Sequence, residues 1–588
     1  MKRFLITTAD ETNWRTDLPI LFLGEWCKLY SRKHIWGKLD YEVLPYHWDD
    51  RAKLYNDYRY VSQIYEKYLN IVSKKLNDIH EVSYPVQYWR IIIGEWLHFF
   101  IEILYDRYSS ILYAANTDRI ADTWISAAPD WRLIPKDFAA FSKYFISDDY
   151  NHYLYSYIIK SIGKIPFQVK TAKHTTEVRN NQEIKKHSSI NIFKYIIKQY
   201  PFLIPGILNK IIFVASYLQT KDLRKLLFSL GQAPNPYTPK YLDIDYQPDP
   251  GMRKSIALDE SDDRFESLLN NILFEQIPTV HMEGYAKMHD RALASFPKHP
   301  DLIYTANAFS SDEGFKLWAA YNVVNRGTKL IIGQHGGHYG SGLWSTTEDH
   351  EINISNNFFT WGWRLNGNTK TVPMPSGSLA GLKRRVKYNP KGEILWVSMS
   401  LPRYFYFFYS VPIGSQVINY IQEQERFAKA VSQDVRDLLL LRLYHNDYGW
   451  DQEKRWLEID SNLKIYHGTK SMTQQLQHSR MLISTYNSTT YLESFAANFP
   501  TIIFWNPKHW ELRDAAKPFF NELHQAGILH YTPESAAAKV NEIYQDPKAW
   551  WQQPEIQNTK NNFCDQFAKT SDDWMKEWKK ALKSISSK

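Results

Sequence analysis

The sequence predicts an α/β protein with two doubly wound parallel sheets, the first of them carrying large helical insertions. Short, continuous apolar runs of strand length recur along the chain, helical patterns separate them, and 588 residues exceed what one ordinary core supports. Strands buried on both faces read as unbroken apolar runs, and parallel neighbours need a crossover helix between them.

The C-terminal third shows this most plainly. Glu393-Ile-Leu-Trp-Val-Ser-Met is one such run, followed by a helical pattern to about residue 431. Asp437 to Leu443, with four consecutive leucines, reads as a buried strand. Helix-like Ser471 to His478, strand-like Met481 to Ser484, helix-like Thr489 to Ala497 and strand-like Thr501 to Phe504 continue the alternation. These elements define a C-terminal domain at 379–555, and residues 556–588 read as a helix packing back on the N-terminal domain.

Upstream, Asp301 to Ala306, Lys329 to Gly333 and Phe358 to Trp361 read as strands, with a helix over Ser311 to Asn325. With a strand at 3–8 they form an N-terminal domain, 1–378, whose helical insertions occupy about 51–230, chiefly 51–80, 86–116 and much of 140–230. Polar Lys170 to Ser189 reads as a mobile loop, and Pro373 to Pro390 as the link between domains. Phe202 to Leu218 is the most apolar later stretch, but Asn209 and Lys210 interrupt it, which rules out a membrane span. It reads as part of a buried amphipathic helix pair, with a peripheral membrane contact by 190–230 as the alternative.

Composition narrows the function classes. Lys and Arg number 71 against 63 Asp and Glu, a net charge of +8 that fits an anionic substrate or an acidic membrane surface. It is no dense basic stripe, and no zinc-finger, homeodomain or RNA-binding signature accompanies it, so nucleic acid is not an expected partner. Cys27 and Cys564, the only two cysteines, make no metal-ligand spacing and no disulfide framework, as in a reduced, cytoplasmic protein. Met1-Lys2-Arg3 precedes too short an apolar run for a secretory signal. The 15% aromatic content supplies faces on which sugar rings and nucleobases stack.

Three constellations carry candidate chemistry. In Ser484-Thr-Tyr-Asn-Ser-Thr-Thr-Tyr-Leu-Glu493 a strand ends in hydroxyl and amide side chains and a helix starts at once. A helix N-terminus offers unpaired N–H groups and a positive dipole end to phosphate, and ligands of open α/β sheets bind at strand carboxyl ends. Thr490-x-x-Glu493 is equally a capping box, which needs no ligand. The second, Gly333-Gln-His-Gly-Gly-His-Tyr-Gly340, has four glycines in eight residues after a buried strand. It places His335 and His338 as a general base or a hydrogen-bond donor, without metal-ligand spacing. The third joins Gly24-Glu-Trp, Tyr46-His-Trp-Asp-Asp-Arg51 and Gly94-Glu-Trp96, where carboxylates flanked by Trp and His resemble a sugar-binding surface. Asp49 and Asp50 serve equally as caps of a helix beginning near Arg51. Arg442 and His445 after one strand, and Asn307 and Glu313 after another, are further candidates.

The words Leu21-Phe-Leu-Gly-Glu-Trp-Cys, Leu44-Pro-Tyr-His-Trp-Asp-Asp-Arg51 and Tyr88-Trp-Arg-Ile-Ile-Ile-Gly94, with Gly333-Gln-His-Gly-Gly and Ser488-Thr-Thr-Tyr-Leu-Glu493, resemble a family of transferases associated with bacterial O-antigen and surface-polysaccharide clusters. The C-terminal order of strand, hydroxyl-rich helix start, Leu-Glu and Asn498-Phe-Pro-Thr-Ile-Ile looks like the donor half of GT-B glycosyltransferases. Gln334-His335-Gly336 with Ser-Thr-x-x-Leu-Glu is similar to capsule enzymes that use CMP-activated Kdo and to polyol-phosphate transferases. The long glycine-rich diphosphate loop of many GT-B enzymes is missing, which favours a monophosphate-linked donor.

What the resemblance implies is a GT-B-like enzyme with two Rossmann-like domains facing a cleft, moving a sugar such as an ulosonic acid from a nucleotide sugar to a growing surface polysaccharide. Ser484, Thr485, Asn487, Ser488, Thr489 and Arg442 would hold the donor phosphate and Glu493 the ribose, with His445, Gln334 and Gly336 lining the donor. His335 would assist the chemistry, and Glu25, Asp49 or Glu95 would supply a carboxylate at the anomeric carbon. Trp26, His47, Trp48, Asp50 and His338 would bind the acceptor sugar. No bound metal or other cofactor is expected. A lipid-linked or polysaccharide acceptor is the expected partner, with peripheral contact to the inner membrane or assembly machinery. The alternatives are a CDP-polyol phosphotransferase and a non-catalytic polysaccharide-binding subunit.

Overall fold

The computed structural model describes residues 2–127, 133–170, 206–234, 242 and 245–586. Three parallel sheets, rather than two, organise them. In the first, β1 (Arg3–Ile6), β2 (Ile20–Phe22), β3 (Tyr41–Val43), β4 (Ile120–Ser126) and β5 (Gln168–Lys170) lie in the order β3-β2-β1-β4-β5. Two long helices, α1 (Arg51–Ile79) and α2 (Val86–Ala115), cross from β3 to β4, and α3 (Asp148–Ile162) leads from β4 to β5. The strand at 3–8 therefore does not extend the sheet of residues 301–361. It pairs with β2 and β4 instead, because those short runs lie close enough to supply parallel partners on both sides.

The second sheet holds β6 (Ile211–Val214), β7 (Leu302–Thr305), β8 (Lys329–Gly333), β9 (Asn357–Thr360) and β10 (Thr371–Pro373) in the order β10-β9-β8-β7-β6. Its helices are α4 (Thr220–Ser229) after β6, α5 (Glu313–Arg326) after β7 and α6 (Thr346–Ile354) after β8. The apolar stretch expected as a helix pair thus contains a strand. Four apolar residues after Lys210 satisfy either period, and a fully buried place beside β7 decides for strand. Residues 171–205, including most of the expected mobile loop, lie outside the described residues.

The third sheet orders β11 (Glu393–Val397), β12 (Leu439–Arg442), β13 (Lys464–Ile465), β14 (Ser479–Ser484), β15 (Thr501–Phe504) and β16 (Leu529–His530) as β13-β12-β11-β14-β15-β16. Between β14 and β15 runs α7 (Thr489–Ala496). The C-terminal segment forms two helices. The first, α8 (Pro554–Phe567), packs on α7, while α9 (Trp574–Ser586) crosses to the second sheet, where Trp578 meets Tyr304 and Phe359.

The second and third sheets meet at their carboxyl edges. The loop after β8 runs against the loops of the third sheet: Leu343 N donates to Glu511 O and Arg513 N to Ser341 O, both at 2.9 Å. The first sheet joins through α1, whose first residue, Arg51, is buried. Its guanidinium makes a two-pronged bridge to Glu511 (2.6 and 2.7 Å), donates to Val411 O and Gln416 Oε1, and lies over the Trp344 ring. Removing one partner of a buried, hydrogen-bonded ion pair strands the other. We expect Arg51→Met to destabilise the fold by about 3–5 kcal/mol, read as a lower midpoint in urea unfolding.

Candidate functional site

The site grows from two strand ends. After β8 the glycines let backbone approach backbone. A Cβ on Gly337 would fall 2.1 Å from Ser488 C and 2.3 Å from Thr489 N, so only glycine lets this loop touch the start of α7. Gly340 has φ +71 and sits flat against Trp363. On the facing side, Ser488 is the N-cap of α7, and no side chain caps the helix. The capping box does not form: the helix starts at Thr489, and the Thr490 hydroxyl pairs with Tyr486 Oη at 2.6 Å. The first N–H groups of α7 and the positive end of its dipole are left beside Gly336 and Gly337, an arrangement that suits an anion.

His335 stands in the same loop, half-buried, with Nε2 3.4 Å from Tyr339 Oη and Nδ1 3.8 Å from Glu351 Oε2. Tyr339 donates to Glu351 Oε1 at 2.6 Å. Burial pushes the His335 pKa down to about 4 and raises that of Glu351 well above the carboxylate range. At neutral pH the imidazole is thus uncharged, and the same burial makes it a weak base. From β6 and β7, Tyr217 lies 5.9 Å ring to ring from His335, and Asn307 donates to its hydroxyl at 2.9 Å. Tyr339 and Glu351 escaped the sequence reading, although Glu348-Asp-His-Glu351, soon after the glycine loop, was the available signal.

In the second turn of α7, the Glu493 side chain has no hydrogen bond or ion pair among the described residues. Burial raises its pKa to about 7, with Arg442 and then Arg385 pulling the other way. Arg442 itself donates to Lys470 O at 3.1 Å and to Gln475 Oε1. His445 is exposed beyond it against Tyr444. Ser488 and Thr489 are partly exposed at the helix start. His335, Gly336, Ser488 and Thr489 are therefore brought together, and Glu493 lies one turn deeper, within electrostatic reach of Arg442.

Other predicted residues are occupied elsewhere. Ser484 and Thr485 are fully buried, and Thr485 bonds Val397 O and Tyr420 Oη (2.9 and 2.6 Å), so neither reaches a donor. Asn487 donates to Ser341 Oγ and accepts from Tyr491. Gln334 accepts from Trp361 N and Trp363 Nε1 and donates to Gly336 O, shaping the loop from beneath. His338 is held between Ser345 Oγ and Tyr409 Oη at 3.1 and 2.9 Å.

In the N-terminal constellation the Trp, His and Glu95 side chains are buried, while Asp49 and Asp50 are exposed and Glu25 is partly so. Trp26 Nε1 donates to Thr7 O and Trp48 Nε1 to Asp57, and both rings are buried. His47 pairs with buried Asp106, Asp49 accepts from Tyr46 N, and Asp50 caps α1. Glu25 pairs with Lys28 at 3.1 Å at the first sheet's edge. Glu95 is buried in α2, where burial raises its pKa to about 7 against the pull of Lys316. Glu313 is buried and paired with Lys316.

Two Rossmann-like parallel sheets facing at their carboxyl edges define a GT-B-like α/β protein, here joined to a third sheet of the same kind. The chain belongs to the LIC12162 family of transferases, whose model matches residues 3–582. No curated protein matches it in sequence. Among solved structures it is similar to an alpha-glucosyltransferase in complex with UDP and a DNA 13-mer, at 12% identity over 64% of this chain and 98% of that one, TM-score 0.35. MurG from Acinetobacter baumannii is similar at 9% identity over 64% and 99%, TM-score 0.33. The glycosyltransferase SnogD from Streptomyces nogalater stands at 12% over 64% and 99%, TM-score 0.32.

Glu493 gives the site a measurable signature. Its folded pKa of about 7 exceeds the ordinary 4.5, so between those values the folded state binds more protons than the unfolded one. Its ionisation therefore destabilises the fold progressively as pH rises from 4.5 to 7 and no further above. Relative to wild type, Glu493→Gln is expected to gain stability over that window, by up to about 3 kcal/mol at pH 8, measured by urea unfolding across pH.

Proposed function

We propose that this transferase is a glycosyltransferase taking its sugar from a nucleotide-sugar donor. The observation that carries this is the meeting of an uncapped helix N-terminus and a neutral histidine in one strand-end cleft. Donor phosphate would sit on the first N–H groups of α7, aided by the Ser488 and Thr489 hydroxyls, and Glu493 would accept bonds from ribose hydroxyls. His335 would take the proton of the acceptor hydroxyl as its oxygen attacks the anomeric carbon. The bond from that carbon to the phosphate oxygen breaks, and the nucleotide leaves with its new charge on α7. The helix dipole meets the phosphate charge, so the scheme needs no metal.

The finer proposal is a CMP-activated ulosonic acid as donor and a lipid-linked surface polysaccharide as acceptor. Residues 398–413, after β11, contain no glycine, and Tyr404, Phe405 and Phe408 among them are buried, so this segment supplies no glycine-rich cradle for a diphosphate. That supports a single phosphate on the donor.

A thermal-shift series with CMP, CDP, UDP, GDP and ADP tests the reading, since a ligand of the folded state raises the midpoint as RT ln(1 + [L]/Kd). A shift with CMP alone is expected, while one with a diphosphate nucleotide would overturn the monophosphate donor. Silence with all five would remove the nucleotide-sugar reading and favour a binding subunit. Phosphorus retained in the product would identify a polyol phosphotransferase. His335→Ala is expected to lower kcat by roughly 10²–10⁴-fold with nucleotide affinity unchanged, and Glu493→Gln to weaken nucleotide binding instead.

A further inference from the structure

The amino edge of the second sheet, opposite the candidate site, has no part in the chemistry above, yet its surface is unusual. Ile207 and Phe228, each 77% exposed, are the most exposed large apolar side chains among the described residues, with Leu208 at 42% beside them. They are neighbours: Ala233 N, just past the end of α4, donates to Leu208 O at 2.8 Å, which staples the turn Gly206–Leu208 against that helix end. The opposite face of α4 is not the source of this exposure, because Leu223, Leu226 and Leu227 are buried in a core shared with Trp574, Trp578 and Leu582 of α9.

Positive charge surrounds the apolar tip. Arg224 and Lys225 are exposed on α4 and carry no ion pair among the described residues. Lys210, before β6, reaches His299 O at 3.2 Å, and His299 opens a cavity of about 240 Å³ lined by Leu293, Pro297, Lys298, Trp318 and Arg326 among others. Its lining includes Lys298, His299 and Arg326 and no acid. Acids are interspersed: Asp222 lies on α4, Asp290 one turn before Leu293, Glu577 on α9, and Asp301 is held by Lys210 at 3.2 Å. Apolar side chains at a tip, cations around them and a cationic pocket with an apolar floor match an interface where acyl chains begin and phosphate headgroups lie.

We propose that this edge docks on an anionic lipid bilayer, with Ile207, Leu208 and Phe228 entering the headgroup boundary and a lipid phosphate seated among Lys298, His299 and Arg326. The candidate site, at the far ends of the same strands, then faces away from the bilayer. The docking does not rest on the glycosyltransferase reading, since it uses none of the site residues.

The experiment is sedimentation of the full chain with vesicles of 30% phosphatidylglycerol in phosphatidylcholine and with pure phosphatidylcholine vesicles. Binding to the anionic vesicles alone, abolished by 0.5 M salt, is the expected result. Arg224→Glu with Lys225→Glu should lower the bound fraction about tenfold or more, since each cation at such a surface contributes roughly a fivefold preference. Phe228→Ser with Ile207→Ser should weaken binding as well, and Lys298→Glu with Arg326→Glu likewise. All these positions are at the surface, so unchanged unfolding midpoints confirm intact folds, and the nucleotide thermal shift should stay as in wild type. Equal binding to both vesicle types, no binding to either, or variants that bind as wild type does would overturn the proposal. So would a dimer in light scattering that Phe228→Ser dissolves without any vesicle binding, which assigns the patch to a second copy of the chain.

Discussion

A buried helix that carries charge must find a partner for every charge, and α2 is such a helix. Along its 30 residues Glu95, His98, Glu102, Asp106 and Arg107 are all buried. An unpaired charge at any of these places would cost several kcal/mol, and the partners come from different parts of the molecule. Asp106 accepts from Tyr46 and pairs with His47 beside the first sheet, while Arg107 reaches Asn151 on α3. Glu102 holds His98 and accepts the N–H of Phe408, in the third sheet's territory, at 2.8 Å. Glu95 feels Lys316, on the second sheet's α5. Apolar packing alone would let three sheets slide on a common helix, whereas these bonds fix one arrangement.

That arrangement reaches the site through a short chain of contacts. Phe408, held by Glu102, accepts the N–H of Thr346 at the start of α6, and Tyr409 bonds the imidazole of His338 at 2.9 Å. His338 accordingly acts as a pin for the glycine loop, leaving His335, three residues earlier, as the histidine with an unoccupied ring nitrogen. Beneath the loop, the Gln334 side chain bonds Trp361, Trp363 and Gly336. Gly337 then sets the loop directly on the start of α7. The position of one candidate base relative to one helix N-terminus is thus fixed by a helix in the middle of the molecule.

The sequence made legible what is local. Apolar runs located the strands at 301–305, 329–333, 393–397, 481–484 and 501–504, and the ranges of α1 and α2 emerged from helical spacing to within a residue or two. The glycine loop and the start of α7 were legible as well, because strand end, small residues and helix start follow one another in the chain. A third sheet was not, since β2 and β3 have three residues each and β4 is broken by Asp122. Carboxylates beside Trp at 25–26, 48–50 and 95–96 looked like a sugar surface because the donors that engage them lie far off in sequence. Tyr46 bonds Asp106 across 60 residues and Arg51 bonds Glu511 across 460, and no spacing rule reaches that far.

Burial gives the cleft an electrostatic character that its residue list does not suggest. Two carboxyls and a histidine would ordinarily present two negative charges and a partial positive one. Here burial raises the Glu351 pKa well above the usual carboxylate range, that of Glu493 is about 7, and that of His335 is about 4, so all three lean toward their uncharged forms. A phosphate entering the cleft therefore meets the positive end of α7 with little opposing negative charge, and the attraction acts in a poorly hydrated space where it is strongest. The same burial keeps His335 free of its proton and holds its basicity low, so proton transfer to it has to run in step with the attack that acidifies the acceptor hydroxyl.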